Sequence, residues 1–281
     1  MGLAILQFLL WPIVASLVIA GIHAYLGLHV VERGVIFVDL SLAQIASLGA
    51  TLALLVPAFG GDTHSPAVYW MSLGFTFIGA AIFSLIKGQE ARIPQEAIIG
   101  ISYAVASAAV IVAMSKSTGE SEHLRDMLVG NILSVSPGEV TNTAIMYVAI
   151  GLFHYVFRKR FLLISTNPEG AAGQGISIRF WDFLFYASFG VVVTRSVAIA
   201  GVLLVFCYLI VPSVGAMLFA ERIGPRLTIG WVMGVVVSML GMYFSVQFDL
   251  PTGATIVCTF GLILVIMAAA RPLFRPASGR A

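Results

Sequence analysis

Long apolar runs, each closed by a short polar or charged stretch, repeat from one end of the chain to the other. Nine such runs occupy 3–28, 35–58, 66–86, 97–114, 140–157, 181–194, 197–219, 227–246 and 252–270. Ser196 to Ala220 gives 25 consecutive positions without a formal charge. As a helix that run is about 37 Å long, enough to cross a hydrocarbon core of about 30 Å with some tilt. The pattern predicts an all-α polytopic membrane protein with about nine spans, organised as a single transmembrane domain over 1–281. The first run has no basic leader and no small-residue cleavage pattern, so it reads as a span and not as a cleavable signal peptide. The sixth is the weakest, because only twelve uncharged residues separate Asp182 from Arg195. Those twelve make about 18 Å of helix, which crosses only where the flanking charges snorkel or the bilayer thins.

Composition agrees with the pattern. The 281 residues are 59% hydrophobic and 10% charged, with mean hydropathy +1.01; a soluble domain carries about a quarter charged residues. Loop charges then give direction. One alternate set of loops holds Arg33, Lys87, Arg92, Arg158, Lys159, Arg160, Arg179, Arg222, Arg226, Arg271, Arg275 and Arg280, against Lys116, Arg125 and Arg195 in the other. Twelve against three places the N-terminus outside and the C-terminus in the cytoplasm by the positive-inside rule. Without the sixth span the score falls to eight against seven, so the charges favour nine spans. The exterior set is acidic (Asp62, Glu120, Glu122, Asp126, Glu139, Asp249), as a cation-gathering mouth would be, or as inward sorting of basic residues alone would leave it.

Several chemistries find no support. There is no G-x-x-x-x-G-K-[ST] phosphate cradle, no H-E-x-x-H and no G-x-S-x-G. His23, His29, His64, His123 and His154 are scattered, and Cys207 and Cys258 lie singly in separate apolar runs. No catalytic residue and no bound cofactor are expected, nor is a nucleic-acid partner. Any active transport must draw its energy from a partner subunit or an ion gradient.

The longest interior polar segment is 158–180. Within it Asn167, Pro168 and Glu169 have the order of a helix start: an Asx cap, proline at the first helical position and an acid in the first turn. Gly173 and Gly175 offer stops soon after. A short interfacial helix there would suit a cytosolic partner; an ordinary capped loop reads the same. In the last three runs, Gly230, Gly234 and Ser238 form a small-residue stripe suited to close helix packing or an oligomer seam, and Pro212 is placed to kink the seventh span.

Asn167 to Ile176 resembles the D-P-E-x-A-x-x-x-G-[IV] segment in the permeases of metal-ion (zinc, manganese, iron) ABC importers. Residues 197–219 are similar to that family's V-G-V-L-L-V stretch. Gly130-Asn131-Ile132-Leu133 with Val135-Ser136-Pro137 resembles its F-G-N-I-L-x-V-S-P, and Gly27 to Leu54 its R-x-M-x-x-x-G-D-x-[IL]-[SA]-H-A region. The resemblance implies a type II ABC importer-like permease in a bacterial-type plasma membrane, pairing with a second permease copy around a central pathway. It also implies a cytosolic ATP-binding cassette ATPase dimer that uses the ATP, and an extracytoplasmic solute-binding protein that delivers a divalent metal. Asn167, Pro168, Glu169, Ala171 and Gly175 would then belong to the ATPase coupling helix, with Gly170 through Gly173 allowing close approach.

The second span departs from that family. Aligned on Gly49, Gln44 stands at the histidine position and Leu40 at the aspartate; aligned on Asp39, Ala43 stands at the histidine. Ser41, Gln44, Ser47 and Thr51 instead form one polar stripe at spacings of 3, 3 and 4. With a helix start near Val35, Gln44 falls about 14 Å in, close to mid-membrane. Oxygen donors of this kind favour harder cations than histidine does, though such residues also serve as interhelical hydrogen-bonding groups. Asp39 lies about 140° around the helix from Gln44 and is the one candidate metal ligand, being an acid more than a few residues inside a span. An ABC permease for a non-transition-metal cargo, an ion-coupled secondary transporter and a non-transporting scaffold remain alternatives.

Overall fold

The computed structural model describes residues 3–56, 65–86, 94–115, 130 and 132–274, with side chains from Phe8 onward. Among these residues every regular element is helical. The helices are α1 (Leu3–Glu32), α2 (Val38–Leu54), α3 (Pro66–Ile86), α4 (Gln95–Met114), α5 (Pro137–Val156), α6 (Arg158–Thr166), α7 (Pro168–Gly173), α8 (Ile178–Ala200), α9 (Val202–Met217), α10 (Ile223–Phe248) and α11 (Thr252–Phe274), with one 3-10 turn at Ile132–Ser134.

Among the described residues, six helices (α1, α3, α4, α8, α10 and α11) are long and apolar enough to cross a membrane, and the α5–α6 pair, bent by 73°, makes a seventh if counted as one span. Two more apolar helices, α2 with 17 residues and α9 with 16, fall short of that length. At 1.5 Å per residue each reaches only about 25 Å. Each of the nine apolar runs therefore lands on a helix, but two lack the length of a full crossing. Apolar side chains such as Val112 and Val148 stand about 70% exposed on long helices.

Boundaries differ from the sequence expectation where local chemistry intervenes. The second span starts at Val38, not Val35, because Gly34 at φ +68 turns the chain after α1. Gln44 consequently sits about 9 Å from the helix start, in place of the expected ~14 Å. The sixth span extends to 23 residues. Its flanking charges do not end it: Asp182 is ion-paired within the fold, and Arg195 lies inside α8 and not in an exterior turn. The break comes at Gly201, whose φ of +76 only glycine adopts without strain. Gly130, at φ +62, abuts the Ala200–Gly201 backbone so closely that no Cβ fits.

The chain forms two compact units. The first comprises Glu32–Gly130 and Met146–Val202. In it α2 packs against α3, α4 and α8. A Cβ at Gly49 would come within 2.7 Å of the Met71 carbonyl oxygen, so glycine lets α2 and α3 close together. Ser72 adds an Oγ–H bond to the Ala46 carbonyl at 2.8 Å.

The second unit comprises Met1–Val31, Asn131–Ile145 and Leu203–Ala281. Here the small-residue stripe of α10 is a packing seam: Gly230 faces Ala24 and Pro212, Gly234 faces Ala20, and Ser238 bonds the Tyr208 hydroxyl at 2.6 Å. Trp231 donates its indole N–H to the Gly21 carbonyl at 2.9 Å. Pro212 lies within α9, which continues through it. α5 opens on a capping box that the sequence reading overlooked. Ser136 Oγ accepts from the Glu139 amide at 3.2 Å, and Glu139 Oε2 accepts from the Ser136 amide at 2.9 Å.

Candidate functional site

Segment 158–180 carries two short helices before α8 begins. Its first nine residues form α6, turned 73° from α5 at Phe157. The amide of Phe157 still bonds back to Phe153, while the amides of Arg160 and Phe161 both use the Phe157 carbonyl, so a second helix starts there in a new direction. Its apolar face follows: Phe161 and Ile164 are buried, while Arg158, Lys159 and Arg160 are exposed. Phe161 stacks on His154 at 4.4 Å between ring centroids and meets Trp181 edge-on at 5.4 Å. This fastens α6 to both α5 and α8.

α7 is the short helix that the Asn-Pro-Glu order predicts. Asn167 Oδ1 accepts from the Gly170 amide at 2.8 Å, Pro168 stands in the first turn, and Glu169 is the first-turn acid. The helix stops at Gly173; Gly175, at φ +74, then reverses the chain, and the Ile176 amide returns to the Ala171 carbonyl at 3.1 Å. Asn167, Pro168, Glu169, Ala172, Gly173 and Gly175 are exposed, whereas Ala171 is fully buried on the inner side. α7 is thus a pedestal with one anchoring methyl and an outward rim of small residues around one carboxylate.

At the base of that pedestal lies a cluster absent from the sequence reading. Arg33, in the turn between α1 and α2, places Nη1 2.5 Å from Asp182 Oδ1 and donates Nε–H to Ser165 Oγ at 2.9 Å. Its guanidinium carbon lies 4.0 Å over the Phe185 ring. Both charged side chains are sealed from solvent, 1% and 0% exposed. Tyr186 accepts a bond from Gln95 Nε2 at 3.2 Å, and Glu96 Oε1 accepts from the Phe37 amide at 3.0 Å. The only sequence signal was two charges, Arg33 and Asp182, at the edges of apolar runs 149 residues apart; spacing alone does not pair them.

Along α2 all four stripe residues are buried: Ser41, Gln44, Ser47 and Thr51 are 0–8% exposed. Asp39 is buried too, in the first turn, where the helix dipole favours an acid. Both Asp39 carboxylate oxygens, Ser41 Oγ and Thr51 Oγ1 make no hydrogen bond among the described residues. Buried oxygens are nearly always bonded, so α2 stands out as a line of uncommitted donors and acceptors. No cluster of three or more His, Cys, Asp or Glu that could hold a metal occurs among the described residues. The acidic groups Asp62/His64 and Glu120/Glu122/His123 lie outside the described residues.

A family model described as the ABC 3 transport family matches residues 5–271, nearly the whole chain. The chain belongs to the ABC 3 transport family. Among individual members, the chain is 28% identical over 248 residues to the manganese transport system membrane protein MntC of Listeria innocua serovar 6a, covering 83% of this chain and 86% of that one. It is 25% identical to a probable iron transport system membrane protein of Haemophilus influenzae, covering 94% and 93%. In three dimensions it is similar to a chain of PsaBC from Streptococcus pneumoniae in complex with Fab, with a TM-score of 0.77, 23% identity, and coverage of 93% and 92%. That likeness shows the fold, an all-helical architecture shared with that chain.

Proposed function

We propose that this chain is the permease subunit of an ATP-binding cassette importer for a divalent metal cation. One observation carries the reading. The family match runs through both units, and the polar segment within it folds as a capped, outward-facing helix on an aromatic base. The manganese and iron transport names of the relatives support a cargo of the divalent transition-metal class. The metal here is cargo, not a resident cofactor, and the chain binds no cofactor of its own.

A cytosolic ATPase dimer uses the ATP and grips α7 through Asn167, Pro168, Glu169 and Gly175, with Ala171 anchoring the helix beneath. A second permease copy completes the pathway and an extracytoplasmic solute-binding protein delivers the ion. We take 1–281 as one permease domain crossing the bilayer nine times, with α1–α5 and α8–α11 as the crossings, the N-terminus outside and the C-terminus cytoplasmic. The short α2 and α9 then cross within the protein, where neighbouring helices and not lipid surround them.

The pathway on this reading follows α2: Asp39, Ser41, Gln44, Ser47 and Thr51. The buried oxygens of Asp39, Ser41 and Thr51, which make no hydrogen bond among the described residues, support it, because a passing cation needs groups free to exchange partners. Asp39 supplies the charge. A second reading keeps the fold and changes the cargo to a harder cation, on the strength of Gln44 standing where a nitrogen ligand is expected. Growth of a deletion strain under manganese, iron and zinc starvation separates the two. A defect relieved by one of these metals supports the first reading, and indifference to all three overturns it.

A further inference from the structure

Ser165 and Asp182 lie on the two strokes of chain that leave and rejoin the coupling segment, at the end of α6 and the start of α8. One guanidinium holds both: Arg33 gives Nε–H to Ser165 and Nη1–H to Asp182. The segment between them, with α7 at its tip, is therefore bridged at its root, beside the Phe161–Trp181 contact, by the Arg33 side chain. That side chain does not belong to the segment. It sits in the tight turn that feeds α2, one residue before Gly34 and six before Asp39. The same turn is held on its other side, where Glu96 of α4 accepts from the Phe37 amide.

We propose that Arg33 is the positioning residue that carries displacement of α7 into the start of α2, so that Arg33, Ser165 and Asp182 together form the latch between ATPase contact and cargo pathway. The proposal rests on α7 being the ATPase grip. Its physical basis is the shape of the contact. A guanidinium is planar and offers donors in fixed directions, so it transmits rotation as well as translation to both partners at once. An ammonium in the same place is a point charge that keeps the ion pair and loses the second bond. Burial makes the joint stiff, since no water is available to replace a stretched bond. The Phe185 ring, its centroid 4.0 Å from the guanidinium carbon, packs against the joint. The mechanical route is continuous: α7, the end of α6, Arg33, the Gly34 turn, Asp39 and then the stripe.

The test uses the complete transporter, this chain with its ATPase and binding protein, in liposomes with Mn(II) as probe. Uptake per ATP hydrolysed is read beside thermal melting and ATPase retention. Ser165→Ala and Arg33→Lys should lower uptake per ATP at least about fivefold while melting and ATPase retention hold, and Ser165→Thr, which keeps a hydroxyl, should restore it. The paired apolar replacement Arg33→Met with Asp182→Leu removes the buried charges together, and should yield a folded but uncoupled transporter. Wild-type uptake per ATP in Ser165→Ala and Arg33→Lys, or in a folded apolar pair, would overturn the latch. Ala172→Arg, on the exposed rim of α7, reports separately on the reading beneath it. If that variant retains the ATPase as firmly as wild type, α7 is not the grip; if it loses the ATPase while the latch variants transport normally, only the latch fails.

Discussion

Arg33 and Asp182 meet 2.5 Å apart with neither side chain open to water, although 149 residues separate them in the chain. Removing one member strands the other as a buried uncompensated charge. Arg33→Ala should therefore destabilise the folded protein by about 3–5 kcal/mol, whereas an apolar pair of matched volume should cost little or even stabilise. Chemical denaturation in detergent checks this. Equal losses in the single and the paired variant would mean that the charges are not desolvated as the structure places them.

Gly49 and Gly74 offer a matched pair of opposite sign. A methyl at Gly49 meets the Met71 carbonyl and the Phe75 Cβ at 2.7 and 2.9 Å, while one at Gly74 meets nothing within 4 Å. Gly49→Ala should cost about 1–3 kcal/mol by forcing α2 and α3 apart. Gly74→Ala should gain up to about 1 kcal/mol from helix propensity. Melting temperatures of the two variants decide it, and a shift in the same direction for both would contradict the close α2–α3 approach.

Gln44 stands within the buried stripe of α2 at 6% exposure. Gln44→Leu keeps the volume, removes the amide and should abolish cation uptake while the protein folds and retains its ATPase. Gln44→His places a nitrogen donor there and should raise the preference for zinc over manganese, following ligand softness. Competition uptake assays read both. Undiminished transport by Gln44→Leu would remove the stripe from the pathway.

Asn167 closes the first turn of α7 through its bond to the Gly170 amide. Asn167→Ala should cost about 1 kcal/mol locally, too little to unfold the chain. It should still loosen α7 enough to weaken ATPase association, measured as a faster off-rate from the assembled complex. Asn167→Asp or Asn167→Ser, each able to cap, should restore binding.

The helical architecture was readable because hydropathy reports directly on the solvent of each segment. α3 begins and ends where the apolar run 66–86 does, and α7 begins on the Asn167 cap. What stayed hidden were the places where tertiary contact overrides composition. Asp182 reads as the edge of a span, yet Arg33 neutralises it and α8 runs on to Ala200. Arg158 to Arg160 read as loop, yet the buried Phe161 and Ile164 beside them give α6 an apolar face. Ala171, grouped in the sequence with the partner-facing residues, turns inward because a six-residue helix on an aromatic base must bury one side. The polar stripe on α2 was visible from spacing; that Ser41 and Thr51, with Asp39 beside them, make no hydrogen bond among the described residues was not, since burial is a property of the fold.

Accumulation of radiolabelled Mn(II) in liposomes carrying this chain, with its cytosolic ATPase and binding protein added or withheld, tests the central claim most directly. Accumulation should appear only when ATP and the ATPase are both present, insensitive to collapse of the proton and sodium gradients. Accumulation driven by an ion gradient with no ATPase present would contradict it and make the chain a secondary carrier.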